Sequence, residues 1–246
     1  MAIQIMAHLV AGFPNPEGFR QAVRGLKEGG ADILELQIPF SDPTADGPVI
    51  TRACEEAIRE GFKVDQIFDY IHEAKEAGFE RIIVMTYANI AFRYGIERYV
   101  RDLHAAGIEA ALVPDLPLED EEGFYAKSFE CGLTPMPVVV VNMPSQRREL
   151  LAKHPFKKIY ISIRCGITGQ ETQITPEVKK FLDHLKGYQR FAGFGIRSAH
   201  QIQALAPHAD VAVVGSYFTG VIQEAARDNG DIQSAVREAM TTLRSS

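Results

Sequence analysis

Short runs of consecutive apolar residues alternate along this chain with stretches in which apolar positions recur every three or four residues. The first pattern predicts strands over residues 4–10, 32–38, 81–86, 110–114, 136–141, 158–163, 190–194 and 210–214. The second predicts helices over 16–28, 49–60, 64–77, 96–106, 119–131, 145–153, 176–185 and 198–205, with a helical tail over 218–243. Strands that are apolar on both faces and separated by helices mean a parallel sheet covered on both sides. Eight such units fit a single closed (β/α)8 TIM barrel domain over residues 1–246. An open doubly wound sheet is the runner-up. It wants a glycine-rich turn after the first strand, and Gly12-Phe13-Pro14 is not GxGxxG.

Helix boundaries carry ordinary signals. Asn15 precedes Pro16 as an N-cap before a first-turn proline, and Ser145 and Ser198 are placed to cap the helices they start. Gly29-Gly30 and Gly132 end theirs.

Composition narrows the function classes. The net charge is −6 and Lys and Arg are not clustered, which argues against nucleic acid or an acidic membrane as the main partner. Cys54, Cys131 and Cys165 are too few and too scattered for a disulfide framework, and no CxxC or paired-His spacing suggests zinc. The first residues lack a basic segment before a long apolar core, and no apolar run is long enough to span a bilayer. The expectation is a soluble, cytoplasmic protein.

The second predicted strand carries the chemistry. Leu34, Leu36 and Ile38 share one face, and Ile33, Glu35 and Gln37 share the other. The all-apolar face should meet the outer helices, so Glu35 should point into the barrel near its C-terminal mouth, where active sites of this fold sit. Asp46 lies on the long loop that follows and could fold back over that mouth, although an Asp before Gly-Pro is also a common turn former. Two carboxylates at one strand mouth are candidates for acid–base work.

Three glycine-bearing loops, Cys165-Gly166-Ile167-Thr168-Gly169, Gly193-Phe194-Gly195-Ile196 and Gly215-Ser216, follow the last three predicted strands. Backbone N–H groups in such loops and at helix N-termini can hold a phosphate. No strand ends in a lysine suited to a Schiff base, and only His8 of the seven histidines lies near a strand mouth. Metal-free, non-covalent acid–base chemistry on a phosphorylated substrate is the expected class.

LELQIPFSDPTADGP at 34–48 resembles the signature of tryptophan synthase alpha subunits. MTYAN at 85–89, LVPDLP at 112–117, CGITG, GFGI at 193–196 and VVGS at 213–216 follow in that family's order and spacing. The resemblance implies a (β/α)8 barrel that cleaves indole-3-glycerol phosphate to indole and glyceraldehyde 3-phosphate. It implies no metal and no cofactor of the chain's own, because the pyridoxal phosphate belongs to a beta subunit that joins indole to serine in an α2β2 assembly. By position it makes Glu35 the general acid–base and Asp46 the group that binds the indole N–H. Tyr87 and Tyr160 would line the site, Thr168 would belong to a lid, and Gly169, Gly195, Gly215 and Ser216 would cradle phosphate. Asp42 and Pro43 would face the beta subunit.

The chain departs from that pattern in places. Gln37 replaces the usual glycine, His8 stands where an aromatic is common, Val10 and Phe13 replace a Thr and an Asp, and Arg197 replaces a Ser. The family's extra N-terminal helix is expected to be absent. Gln37, on the same face as Glu35, is expected to add bulk there. A blocked pocket would favour a second reading, an alpha-like subunit kept mainly to activate a beta partner. A third is another phosphosugar barrel, such as an isomerase.

Overall fold

A computed structural model describes residues 2–163 and 173–245. Among these residues, nine parallel strands form the inner ring: β1 (Gln4–Val10), β2 (Ile33–Gln37), β3 (Ile82–Met85), β4 (Ala110–Leu112), β5 (Pro135–Met136), β6 (Val138–Val140), β7 (Lys158–Ser162), β8 (Gln189–Gly193) and β9 (Val211–Val214). Among the described residues, eleven α-helices surround them: α1 (Pro16–Glu28), α2 (Pro48–Arg59), α3 (Ile67–Glu76), α4 (Ala88–Tyr94), α5 (Ile96–Ala105), α6 (Phe124–Cys131), α7 (Ser145–Lys153), α8 (Pro176–His184), α9 (Ala199–Leu205), α10 (Ser216–Arg227) and α11 (Ile232–Arg244).

The hydrogen-bonded order runs β5-β4-β3-β2-β1-β9-β8-β7-β6. The expected fifth strand is therefore two pieces. Proline has no N–H to give to a ladder, and at Pro137 the strand changes partner. Its first part pairs with β4, its second part pairs with β7, and the Pro137 carbonyl accepts from the Tyr160 N–H at 3.0 Å. Those pairings close the expected (β/α)8 TIM barrel.

The helices differ from expectation in several places; the one expected over 119–131 begins only at Phe124, and the one expected over 64–77 opens with a 3-10 turn at Val64–Gln66. α4 was not foreseen, the tail is two helices broken around Asn229-Gly230, and Pro144 rather than Ser145 occupies the N-cap of α7. Asn15 and Ser198 do cap α1 and α9, accepting from the backbone N–H of Gly18 and Gln201.

Two apolar zones follow from strand alternation. Leu34, Leu36 and Ile38 pack outward among the helices, while Met6, Ile33, Ile83, Ala110, Phe191 and Val211 fill the inside. α1 shows how the outer layer is made: Phe19, Ala22, Val23 and Leu26 recur at helical spacing and are all buried. Its Gly25 lets α11 approach, since a Cβ there would lie 2.4 Å from the Gln233 carbonyl oxygen. An ionic cluster lies at the N-terminal ends of the strands. Arg81 grips Glu109 with two N–H groups at 2.6 and 2.7 Å and donates to Gln4 at 2.7 Å, and Lys158 pairs with the same Glu109. With that end tied and the interior packed, open space is left at the C-terminal mouth. Among the described residues, no helix is long and apolar enough to cross a membrane.

Candidate active site

A cavity of about 360 Å³ opens at that mouth. Seven of these strands contribute to its wall: His8 from β1, Glu35 from β2, Met85 from β3, Leu112 from β4, Val138 and Val140 from β6, Tyr160 and Ser162 from β7, and Val213 from β9. Ala45, Asp46 and Ile50 close it on the β2–α2 side, and Phe194, Gly195 and Ile196 on the β8–α9 side. Its volume suits a small organic ligand, and its wall is largely apolar with a few convergent polar groups.

Glu35 projects inward, as strand alternation requires, and is only 3% exposed. Its Oε2 lies 3.1 Å from His8 Nδ1. Burial works against charge on the His8 ring, but the hydrogen bond and charge of Glu35, with the charge of Asp46, outweigh it and raise its pKa above the ordinary histidine value. Asp46 reaches the same cavity from the loop. Its Oδ2 accepts from Tyr87 Oη at 2.8 Å and from Gln37 Nε2 at 2.9 Å. Burial raises the Asp46 pKa, with the charge on His8 and these two hydrogen bonds pulling the other way.

Gln37 does not crowd the cavity. It is fully buried, turned toward Asp46 and the Cys54 Sγ, and absent from the wall. Side-chain alternation fixed its face, but its amide turns aside to hold the loop. Tyr87 is also off the wall. It is fully buried, stacks on Phe40 at 5.2 Å, accepts from the Ala45 N–H at 3.1 Å and so pins the loop that carries Asp46.

Tyr160 does line the cavity, and burial with the Glu35 and Asp46 charges pushes its phenol pKa well up, so it serves as a neutral wall. Gly193 makes room for it, because a Cβ there would fall 2.8 Å from Tyr160 Oη.

Gly195, Gly215 and Ser216 meet on one side of the cavity. Gly215 is the N-cap of α10 and no side chain caps that helix, so its first turn can serve an anion. The start of α9 differs: the Gln201 Oε1 already accepts from the N–H groups of Arg197 and Ser198. Arg197 is exposed and off the cavity wall. Thr168 and Gly169, with the rest of the 165–169 loop, lie outside the described residues. Asp42 is exposed beside the mouth, whereas Pro43 is buried. Sequence reasoning missed the polar wall residues Asn142 and Ser162. Ser162 could have been found by the parity it shares with Tyr160 on β7.

The chain matches the family model described as tryptophan synthase alpha chain over residues 3–246. It is 35% identical over 225 residues to the tryptophan synthase alpha chain of Syntrophotalea carbinolica, covering 90% of this chain and 89% of that one. It is 35% identical over 230 residues to that of Helicobacter hepaticus, covering 90% and 86%. A solved structure of Mycobacterium tuberculosis tryptophan synthase superposes with a TM-score of 0.87 at 30% identity, covering 98% of this chain and 91% of that chain. The tryptophan synthase α2β2 complex of Pyrococcus furiosus gives 0.86 at 25% identity, covering 98% and 97%.

Proposed function

The chain belongs to the tryptophan synthase alpha chain family, and from that premise we propose which of its residues carry the reaction. The activity is a carbon–carbon lyase step of tryptophan biosynthesis, cleavage of indole-3-glycerol phosphate to indole and glyceraldehyde 3-phosphate. Glu35 is the general acid–base. It gives a proton to the ring carbon that bears the glycerol chain, and positive charge then appears on the ring nitrogen. It next removes the proton of the neighbouring glycerol hydroxyl. That oxygen becomes an aldehyde, the carbon–carbon bond breaks, and its electron pair returns to the ring to quench the charge. Asp46 faces the ring nitrogen and stabilises that charge while it lasts.

Gly195, Gly215 and Ser216 hold the phosphate end, and the family resemblance adds Gly169 to the phosphate cradle and Thr168 to a lid. Tyr160 bounds the ring pocket and Tyr87 fixes Asp46. The step requires no cofactor or metal of this chain. Indole goes on to a pyridoxal-phosphate-dependent beta subunit, met on the Asp42 side of the mouth in an α2β2 assembly.

The observation that carries this reading is the presence of Glu35, nearly dry, and Asp46 on the wall of one cavity. Gln37 is not on that wall, so the feature that would have favoured an activator without catalysis is missing. Glu35→Gln is expected to lower indole release by roughly 10²–10⁴-fold, the range of a well-placed acid–base, while leaving glycerol-phosphate binding intact. Parental indole release by that variant would remove Glu35 from the chemistry.

A further inference from the structure

Glu35 is not alone at the cavity wall. His8 is its register partner across the β1–β2 ladder, and the two side chains meet at 3.1 Å with 4% and 3% exposure. An imidazole and a carboxyl kept this dry are better off sharing a proton than standing apart as separate charges. One residue pair further along the same face of β2, Gln37 donates its amide to Asp46. Two further polar atoms of this group, Nε2 of His8 and Oε1 of Gln37, are buried without a well-formed hydrogen bond, although the Gln37 side chain is near enough to favour the proton on His8. Burying such atoms without a good partner is destabilising, so their retention beside two acids calls for an explanation.

We propose that His8 is a positioning residue that shares a proton with Glu35, and that Gln37 joins this pair to Asp46, so that the four side chains act as one acid–base unit. This rests on the assignment of Glu35 and Asp46 made above.

The proton balance is simple. The pair holds one proton between His8 Nδ1 and Glu35 Oε2. That proton leaves through Glu35 to the ring carbon. The hydroxyl proton returns to Glu35 as the carbon–carbon bond breaks, and the pair ends with the count it began with. His8, whose pKa is raised above the ordinary histidine value by Glu35 and Asp46 against the cost of burial, thereby holds the proton that Glu35 hands on.

The surroundings of the ring leave few other groups to titrate. Glu35 faces it from β2 and Asp46 from the following loop. On the β9 side it meets Gly215, where a Cβ would lie 3.6 Å from its own Cβ and which brings no charge. Tyr160 stays neutral, since burial and both carboxylates push its pKa well up. Cys54, beyond Gln37, stays a thiol, burial pushing it up to about 12. Glu35, with the charge of Asp46 and the Gln37 amide, holds the proton on His8 against the cost of burial.

The test is the pH dependence of indole release from indole-3-glycerol phosphate by the full chain, measured as kcat and KM for the parent, His8→Phe, His8→Gln, Gln37→Met and Glu35→Gln. The shared proton is lost as pH rises, so the parent should lose kcat along an alkaline limb. His8→Phe should lower kcat at pH 8 about tenfold with KM within about twofold, and move that limb down by about one pH unit. His8→Gln, which keeps a polar side chain but cannot carry the proton, should move it likewise, and it decides the matter if His8→Phe does not fold. Gln37→Met should move the limb the same way by less. A limb at its parental position in the folded His8 variants overturns the proposal, including the case in which kcat and melting temperature fall together. Parental indole release by Glu35→Gln is a separate failure, because it removes the reading on which the proposal stands.

Discussion

At the scale of single residues, Glu35 and Asp46 have the same functional group and different surroundings. Glu35 sits on a strand, nearly dry, against an imidazole. Asp46 sits on a loop and is held by two neutral donors, the Tyr87 hydroxyl and the Gln37 amide. In the proposed reaction one exchanges a proton and the other keeps a fixed acceptor near developing positive charge. Asp46→Asn keeps an acceptor for Tyr87 and removes the charge. It should therefore lower turnover roughly ten- to a hundredfold while shifting the melting temperature by only a few degrees. Parallel measurement of kcat and thermal unfolding checks this, and an equal loss of both would return Asp46 to the role of turn former. The inward face of Glu35 was readable because strand alternation is a strict rule. The depth of Tyr87 and the sideways turn of the Gln37 amide were not, because alternation gives a face and says nothing of which neighbour a long side chain will find.

At the scale of elements, the cluster at the N-terminal ends of the strands ties the ring at the end opposite the cavity. Glu109 is the hub. Burial opposes its ionisation, but hydrogen bonds from Arg81 and Lys158 outweigh that and leave its pKa below the ordinary carboxylate value. A carboxylate with a lowered folded pKa contributes stability above its unfolded pKa, near 4.3, and loses that contribution as pH falls toward the folded value. Glu109→Gln should therefore reduce unfolding free energy by about 2 kcal/mol at pH 7, where two cations lose their partner. The gap to the parent should narrow in urea unfolding as pH falls below about 4. A gap of constant size across that range would mean that packing, not charge, sets the contribution of Glu109. Several boundaries at this scale were legible in advance, such as the Asn15 and Ser198 caps. The break of the fifth strand also had its signal in Pro137, and the break of the tail had one in Asn229-Gly230. α4 had none, since seven residues directly after a strand are too few to show a period.

At the scale of the whole molecule, the cavity mouth and the exposed Asp42 lie at the same end of the ring, so a partner that receives the product would dock over the opening. Asp42, bonded by the Ser41 hydroxyl at 2.6 Å, presents a fixed negative charge there, while the buried Pro43 can only shape the loop beneath it. Asp42→Lys should weaken binding of a tryptophan synthase beta subunit about tenfold, roughly 1.4 kcal/mol, chiefly at low salt. A titration showing unchanged affinity would take Asp42 off the partner face.

The change of partner at Pro137 has a bearing on how the chain behaves among other chains. A sheet that ends in a long open strand offers its unused donors and acceptors to any foreign strand, which is a usual start of aggregation. Here, among the described residues, the ring's loose ends are pieces of two and three residues, separated by a residue that has no N–H and whose carbonyl is already engaged by Tyr160. Closure at that point leaves no long template on which an amyloid-like stack could grow.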